Sequence, residues 1–270
     1  MTTTTTDTAA TPRVRRAGTT TLVTGLGLLA AAPLTLFVVS VLAGAPIADS
    51  LVFLVAAAVL AAGAAVARRA GTWPAVAGLV LTALALVGGF WLAFGLLAPA
   101  SPADFVPATM FVAGVVLALT GAVQAIRSRR QPATRVAHGD GRLRAVALVL
   151  VAVAVVVSVG LNLAGRTSVD PAVAERATPV TIAGFAFADR EVVVAAGADA
   201  ELLVRNRDAF LHDLALPSQD LAVVVQPGSE ALLDVSGLAP GTYVFYCTLH
   251  SDVTDPDPES AGMAGTLVVD

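Results

Sequence analysis

Lysine is absent from this 270-residue chain, and all 16 basic side chains are arginine. Charged residues of both signs reach only 13%, and aromatic ones 5%. An ordinary soluble domain carries about 25% charged residues, so a wholly soluble globular protein is excluded. Intrinsic disorder is excluded too, because 56% of the residues are hydrophobic and disorder needs few apolar side chains. The single Cys rules out an intrachain disulfide and any four-cysteine metal site. With three His in all, sites built from many imidazoles are ruled out as well.

What charge there is divides sharply. Residues 1–165 hold 11 Arg and 4 acids, and residues 166–270 hold 5 Arg and 16 acids. The first part contains five stretches that approach or reach the roughly 20 apolar residues needed to cross a bilayer. They run over Thr19–Ala43, Leu51–Ala67, Pro74–Ala98, Phe105–Ile126 and Ala145–Gly165. Lipid offers no hydrogen bonds to the backbone, so each is expected to be a helix. Residues 1–18 read as a disordered tail, and 19–165 as the transmembrane region.

Arginine placement predicts the orientation. Arg13, Arg15 and Arg16 precede the first span, and Arg68 and Arg69 follow the second. Six more, from Arg127 to Arg144, lie between the fourth and fifth spans, and the alternate loops contain none. The N-terminus is therefore expected in the cytoplasm and residues 166–270 outside. The first span is expected to stay uncleaved, since its apolar run exceeds that of a signal peptide. The span interiors hold no Asp, Glu, Arg, His or Cys, so they read as an anchor rather than a transport path. Asp49 and Asp104 are expected in the outer loops, and His138 in the basic loop reads as a solvated residue.

A linker over 166–177 leads to β-branched segments separated by turns, with candidate strands from Val180–Phe187 to Gly265–Val269. Eight short strands in about 95 residues predict a Greek-key sandwich over 178–270. The lone Cys lies in Tyr246-Cys247-Thr248-Leu249-His250. His212 precedes it, and Met263 follows just before the last strand. Two imidazoles, a thiolate and a weak thioether suit a trigonal copper site with a long axial ligand. Taken singly, a strand His is more often a satisfied residue and a lone Cys inert core. Their order within one β-domain is what points to a metal.

The segments GTYVFYCTLH (241–250) and MAGTLVV (263–269) resemble the C-terminal signature of cupredoxins of the plastocyanin and azurin type. Asn206-x-Asp208-x3-His212 is similar to that family's first-ligand strand, and VTIAGFAFADREVVVAAG to the start of small bacterial cupredoxin domains. The resemblance covers about residues 175–270. It implies one type 1 copper ion, with His212, Cys247 and His250 as equatorial ligands and Met263 as the axial one. It also implies that Asn206 steadies the thiolate. The stretch between His250 and Met263 is longer than plastocyanin-like proteins have, which leaves Glu259 or a backbone oxygen as alternative axial donors. Its four acids, Asp252, Asp255, Asp257 and Glu259, can steer a basic partner or simply solvate the loop.

These readings predict a multi-pass electron carrier on the outer face of a bacterial cytoplasmic membrane. Its partners would be the lipid bilayer and a redox protein such as a cytochrome or terminal oxidase. The alternative is copper binding and delivery, with a copper donor or acceptor as partner. No nucleic acid is expected. An enzyme is not expected either, because a second copper centre would need exported His residues that the chain lacks.

Overall fold

Long apolar runs without a charge become helices, and five of them form the first part of the computed structural model. The structure describes residues 18–69, 71–128, 139–197, 200–255 and 257–270. The tail before residue 18 and His138 therefore lie outside the described residues. The helices are α1 (Thr19–Leu42), α2 (Ile47–Ala67), α3 (Thr72–Gly89), α4 (Pro102–Arg127) and α5 (Gly139–Ala164). Beyond Gly89 the third span continues as a tighter 3-10 helix over Phe90–Leu97. All five spans are long and apolar enough to cross a membrane. The second and fourth start earlier than expected, because Asp49 and Asp104 sit in the first helical turn instead of a loop. A carboxylate there faces the positive end of the helix dipole.

Helices in lipid gain little from hiding apolar surface from one another, so close contact depends on small side chains. Glycines Gly18 and Gly25 of the first span region meet Gly114 and Gly121 of α4. A Cβ on Gly25 would lie 2.3 Å from the Ala118 amide nitrogen, and one on Gly121 2.2 Å from that of Leu22. Leu22, Leu26, Leu29, Ala118 and Ala122 fill the seam between them.

The second part is a two-sheet sandwich, with nine strands among the described residues. One sheet has the order β2 (Ala186–Phe187), β1 (Thr178–Ala183), β4 (Glu201–Asn206), β7 (Glu230–Asp234). The other has β3 (Glu191–Val194), β9 (Gly262–Val269), β8 (Gly241–Ser251), β5 (His212–Leu216), β6 (Leu221–Val225). Alternating residues such as Val180, Ile182, Leu202 and Val204 point inward against Leu214, Leu216, Phe245 and Leu267. The expected single strand Val180–Phe187 is broken by a hairpin. Gly184 (φ 63°) and Phe185 (φ 59°) turn the chain, pairing Ile182 with Phe187. Two positive φ values in a two-residue loop suit the twist of the flanking strands.

The expected linker is not featureless. Asp170 caps a four-residue helix, α6 (Pro171–Ala174), by accepting from the Ala172 amide at 2.8 Å. Thr167 exchanges backbone and side-chain hydrogen bonds with Ser229 and Glu230. The sandwich rests on the helix ends near Ala43, Ala98–Asp104 and Asn162. Asn162 Nδ2 donates to the Ala100 and Pro227 carbonyls, and Phe210 packs with Leu36 and Ala103. Arg68, Arg69 and Arg127 lie at the other ends of their helices.

Gly121→Val should lower stability by an amount at the upper end of the ~1–3 kcal/mol typical of overpacking, because the clash is with backbone. Thermal unfolding of the detergent-solubilised chain would test this, with Gly27→Val, which meets nothing within 4 Å, as the neutral control.

Candidate metal centre

Strand β5 is buried along its whole length, yet it begins with His212 and Asp213. Polar side chains in such a place need partners. Both His212 and Cys247 are fully buried, and His250 lies at the surface end of the same cluster. The three offer donor atoms all within 4.8 Å of one another. Cys247 Sγ is 3.6 Å from His212 Nδ1 and 3.3 Å from His250 Nδ1. Donors that share one first-row metal ion, at bond lengths of about 2.0–2.3 Å, stand roughly 3.5 Å apart. The trio thus fits a single ion, and thiolate with imidazole is the donor chemistry that can hold one type 1 copper.

The ring of His212 is fixed from behind. Its Nε2 lies 3.0 Å from Asp208 Oδ2, so Nε2 carries the proton and Nδ1 keeps its lone pair toward Cys247. This carboxylate–imidazole pairing is the usual way a metal-binding His is oriented. Asp208 also accepts from the Gly184 amide at 2.7 Å and the Phe185 amide at 2.9 Å. Burial opposes its ionisation, but the bonds from His212, Phe185 and Gly184 hold its carboxyl below the ordinary range. Phe185 occupies the left-handed region, a strained position for a residue with a Cβ. From there its ring stands edge-on to both His212 and His250, at 5.6 and 5.2 Å.

Asn206 does not reach the thiolate, contrary to the expectation. Its Nδ2 donates to the Phe210 and Val225 carbonyls, and its Oδ1 accepts from the Asp208 amide. It therefore shapes the loop that carries Asp208 and leads into His212. The cysteine loop is held by Asp213, which accepts from the Thr248 amide at 2.7 Å and the Thr248 hydroxyl at 2.6 Å. Asp208, Asp213 and Phe185 had no assigned role in the sequence reading. The available signal was the pair of acids flanking Phe210-Leu211-His212 beside an apolar strand.

Met263 lies on β9 in the same buried cluster as Cys247. Glu259 is on an exposed turn, where its amide donates to Asp257. The acidic loop is organised by such local bonds and by the Tyr246 hydroxyl, which donates to the Asp255 carbonyl at 2.9 Å. Pro256 falls outside the described residues.

Without a metal, the site favours neutral groups. Burial, with Asp213 nearby, pushes the Cys247 thiol up to about 12. His250 is exposed as a residue, but its ring is enclosed by Phe185 and His212, and burial with the neighbouring imidazole pulls it down to about 4. A raised thiol pKa contributes stability that is present below its ordinary 9.0 and lost as pH rises toward 12. A depressed imidazole pKa contributes stability that is present above 6.5 and lost as pH falls toward 4. Melting of the metal-free chain should therefore peak between pH 6.5 and 9.0. Cys247→Ser should flatten the alkaline fall; an unchanged alkaline limb would contradict this assignment.

Comparison with known proteins finds a family model and several solved structures similar to part of the chain. The family model for cupredoxin-like domains matches residues 147–255, from within α5 to a point before Met263. Solved structures similar to this chain include three amicyanin mutants. A reduced form is 22% identical, covers 36% of this chain and 84% of its own, and has a TM-score of 0.28. A Cu(I) form is 23% identical over 36% and 86%, with a TM-score of 0.29. An oxidised form is 22% identical over 36% and 89%, with a TM-score of 0.28. No curated protein matches the chain. After five long apolar helices, the chain folds into a β-sandwich that the cupredoxin-like family model matches in part, and its His212, Cys247 and His250 can hold one copper ion.

Proposed function

We propose that this protein is a membrane-anchored type 1 copper protein that transfers electrons at the outer face of the cytoplasmic membrane. His212, Cys247 and His250 are its equatorial ligands and Met263 its axial one. The observation that carries the reading is the cluster of one thiol and two imidazoles, with Sγ–Nδ1 separations of 3.3 and 3.6 Å. Bound copper would supply one-electron cycling between Cu(II) and Cu(I). Among the described residues this is the one cluster of three or more metal-ligating side chains.

The residues around the trio serve that role. Asp208 keeps His212 in the tautomer that presents Nδ1. Asp213 holds the residue after the thiolate. Phe185 and Phe210, 4.8 Å apart, shield the imidazoles from water. Cys247 gives up its proton when the metal enters, so binding is coupled to pH. The sandwich sits at the helix ends away from Arg68, Arg69 and Arg127, and the positive-inside rule puts those arginines in the cytoplasm. The partner would be a redox protein reached along the membrane surface.

The full chain, purified in detergent and loaded with Cu(II), should show an intense visible thiolate-to-copper band and narrow copper hyperfine splitting. Cys247→Ser should abolish both. Met263→Leu should keep the band and shift the spectrum, and Asp208→Ala should weaken metal affinity about 10–100-fold. A colourless protein that binds Cu(I) tightly would move the assignment to copper delivery.

A further inference from the structure

The candidate ligand His250 faces the apolar helices across a partly open cleft. A cavity of about 400 Å³ lies between the sandwich and the outer end of the bundle. Trp91, Phe94, Leu97, Asp104, Leu249 and His250 line it. Its only ionisable groups are the Asp104 carboxylate and the His250 imidazole. Asp104 Oδ2 accepts from the Ser101 hydroxyl and from the Leu211 amide. Its Oδ1 receives no hydrogen bond from a described residue, and Asp104 is among the residues that line the cavity.

A second cavity of about 520 Å³ lies deeper in the bundle, among α1, α2, α3 and α4. Pro33, Phe53, Leu60, Leu84 and Phe111 are among its walls, and no side chain lining it is ionisable. The two spaces share Trp91 and Leu92 as a common wall. One is wholly apolar and lies within the membrane span. The other adds aromatic faces, an acceptor and an imidazole.

We infer that the two cavities form one binding site for a lipid-soluble hydroquinone, with its ring beside Trp91 and His250, a hydroxyl donating to Asp104, and its apolar tail in the deeper space. Each part of the ligand follows from a wall of the site. An apolar chamber within the helices selects a molecule that partitions into lipid. Trp91 and Phe94 offer flat faces to a ring. Asp104 already accepts from Ser101 and Leu211, and an acceptor in the wall favours a ligand that brings a hydroxyl donor. The inference deepens the proposed electron-carrier role by naming a small partner for the His250 edge, but binding itself needs no metal.

Binding is measured by calorimetry on the full detergent-solubilised chain, both metal-free and copper-loaded. The probes are a decyl-tailed benzohydroquinone, its dimethyl ether and a methyl-substituted benzohydroquinone. The decyl hydroquinone should bind saturably, and the ether, which lacks the donors, about ten-fold or more weakly, as expected for loss of a hydrogen bond to a charged group. Asp104→Asn, which keeps an acceptor for Leu211, should erase that difference. Ala56→Phe, which narrows the deeper cavity, should weaken the decyl compound and leave the methyl one unchanged. Equal binding of hydroquinone and ether, indifference to Asp104→Asn, or no saturable binding would each overturn the inference. Copper loading, read separately from the visible band, keeps these outcomes distinct from failure of the metal site.

Discussion

The Asp208 carboxylate joins the first hairpin to the first imidazole of the site. An ionised carboxylate removed from water is costly unless hydrogen bonds replace its hydration. Asp208 receives three, from His212 and from the amides of Gly184 and Phe185. Those bonds tie together parts far apart in sequence. The first hairpin is held in its left-handed turn, and the first imidazole is set in one tautomer. Strain at Phe185 and the cost of a buried charge are thus offset by the same contacts. Asn206 completes the arrangement by accepting from the Asp208 amide itself, so the carboxylate has little freedom to turn away.

A second constraint comes from the helices. One span would suffice to anchor a sandwich, but it could not form a platform. Here the ends of several helices meet the domain through different contacts: Asn162 on Pro227, Asp104 on Leu211, and Leu36 with Ala103 against Phe210. Close approach of α1 and α4 through Gly18, Gly25, Gly114 and Gly121 sets how those ends are spaced. The tight winding over Phe90–Leu97 then places Trp91 and Phe94 toward the sandwich side. Gly95 belongs to this geometry, since a Cβ there would come within 2.4 Å of the Asp104 carbonyl oxygen.

Much of this was readable from the sequence, and the failures share a cause. Uncharged apolar runs announce helices whatever surrounds them, so all five spans were legible. Cys247, His250 and His212 were legible because their order and spacing carry chemistry that few other arrangements share. Phe185 was not, since nothing in a phenylalanine suggests a left-handed turn; the Asp208 carboxylate, more than twenty residues later, stabilises it there. Asp104 read as a loop acid because its partner, the Leu211 amide, belongs to the other half of the chain. Asn206 was credited with the wrong partner for the same reason. Long-range hydrogen bonds decide these roles, and a linear pattern does not contain them.

The metal-free chemistry of the site follows from the same burial. An apolar core around Cys247 raises its pKa to about 12, and enclosure of the His250 ring lowers its own to about 4. Near neutral pH the fold therefore keeps a thiol and an imidazole that are both uncharged, beside the ionised Asp208. A cation entering this space would replace the proton on sulfur and meet an imidazole nitrogen on either side of it. Of the three donors, His250 is the one that lines the cavity beside the helix ends, which puts the edge of the cluster next to the first half of the chain.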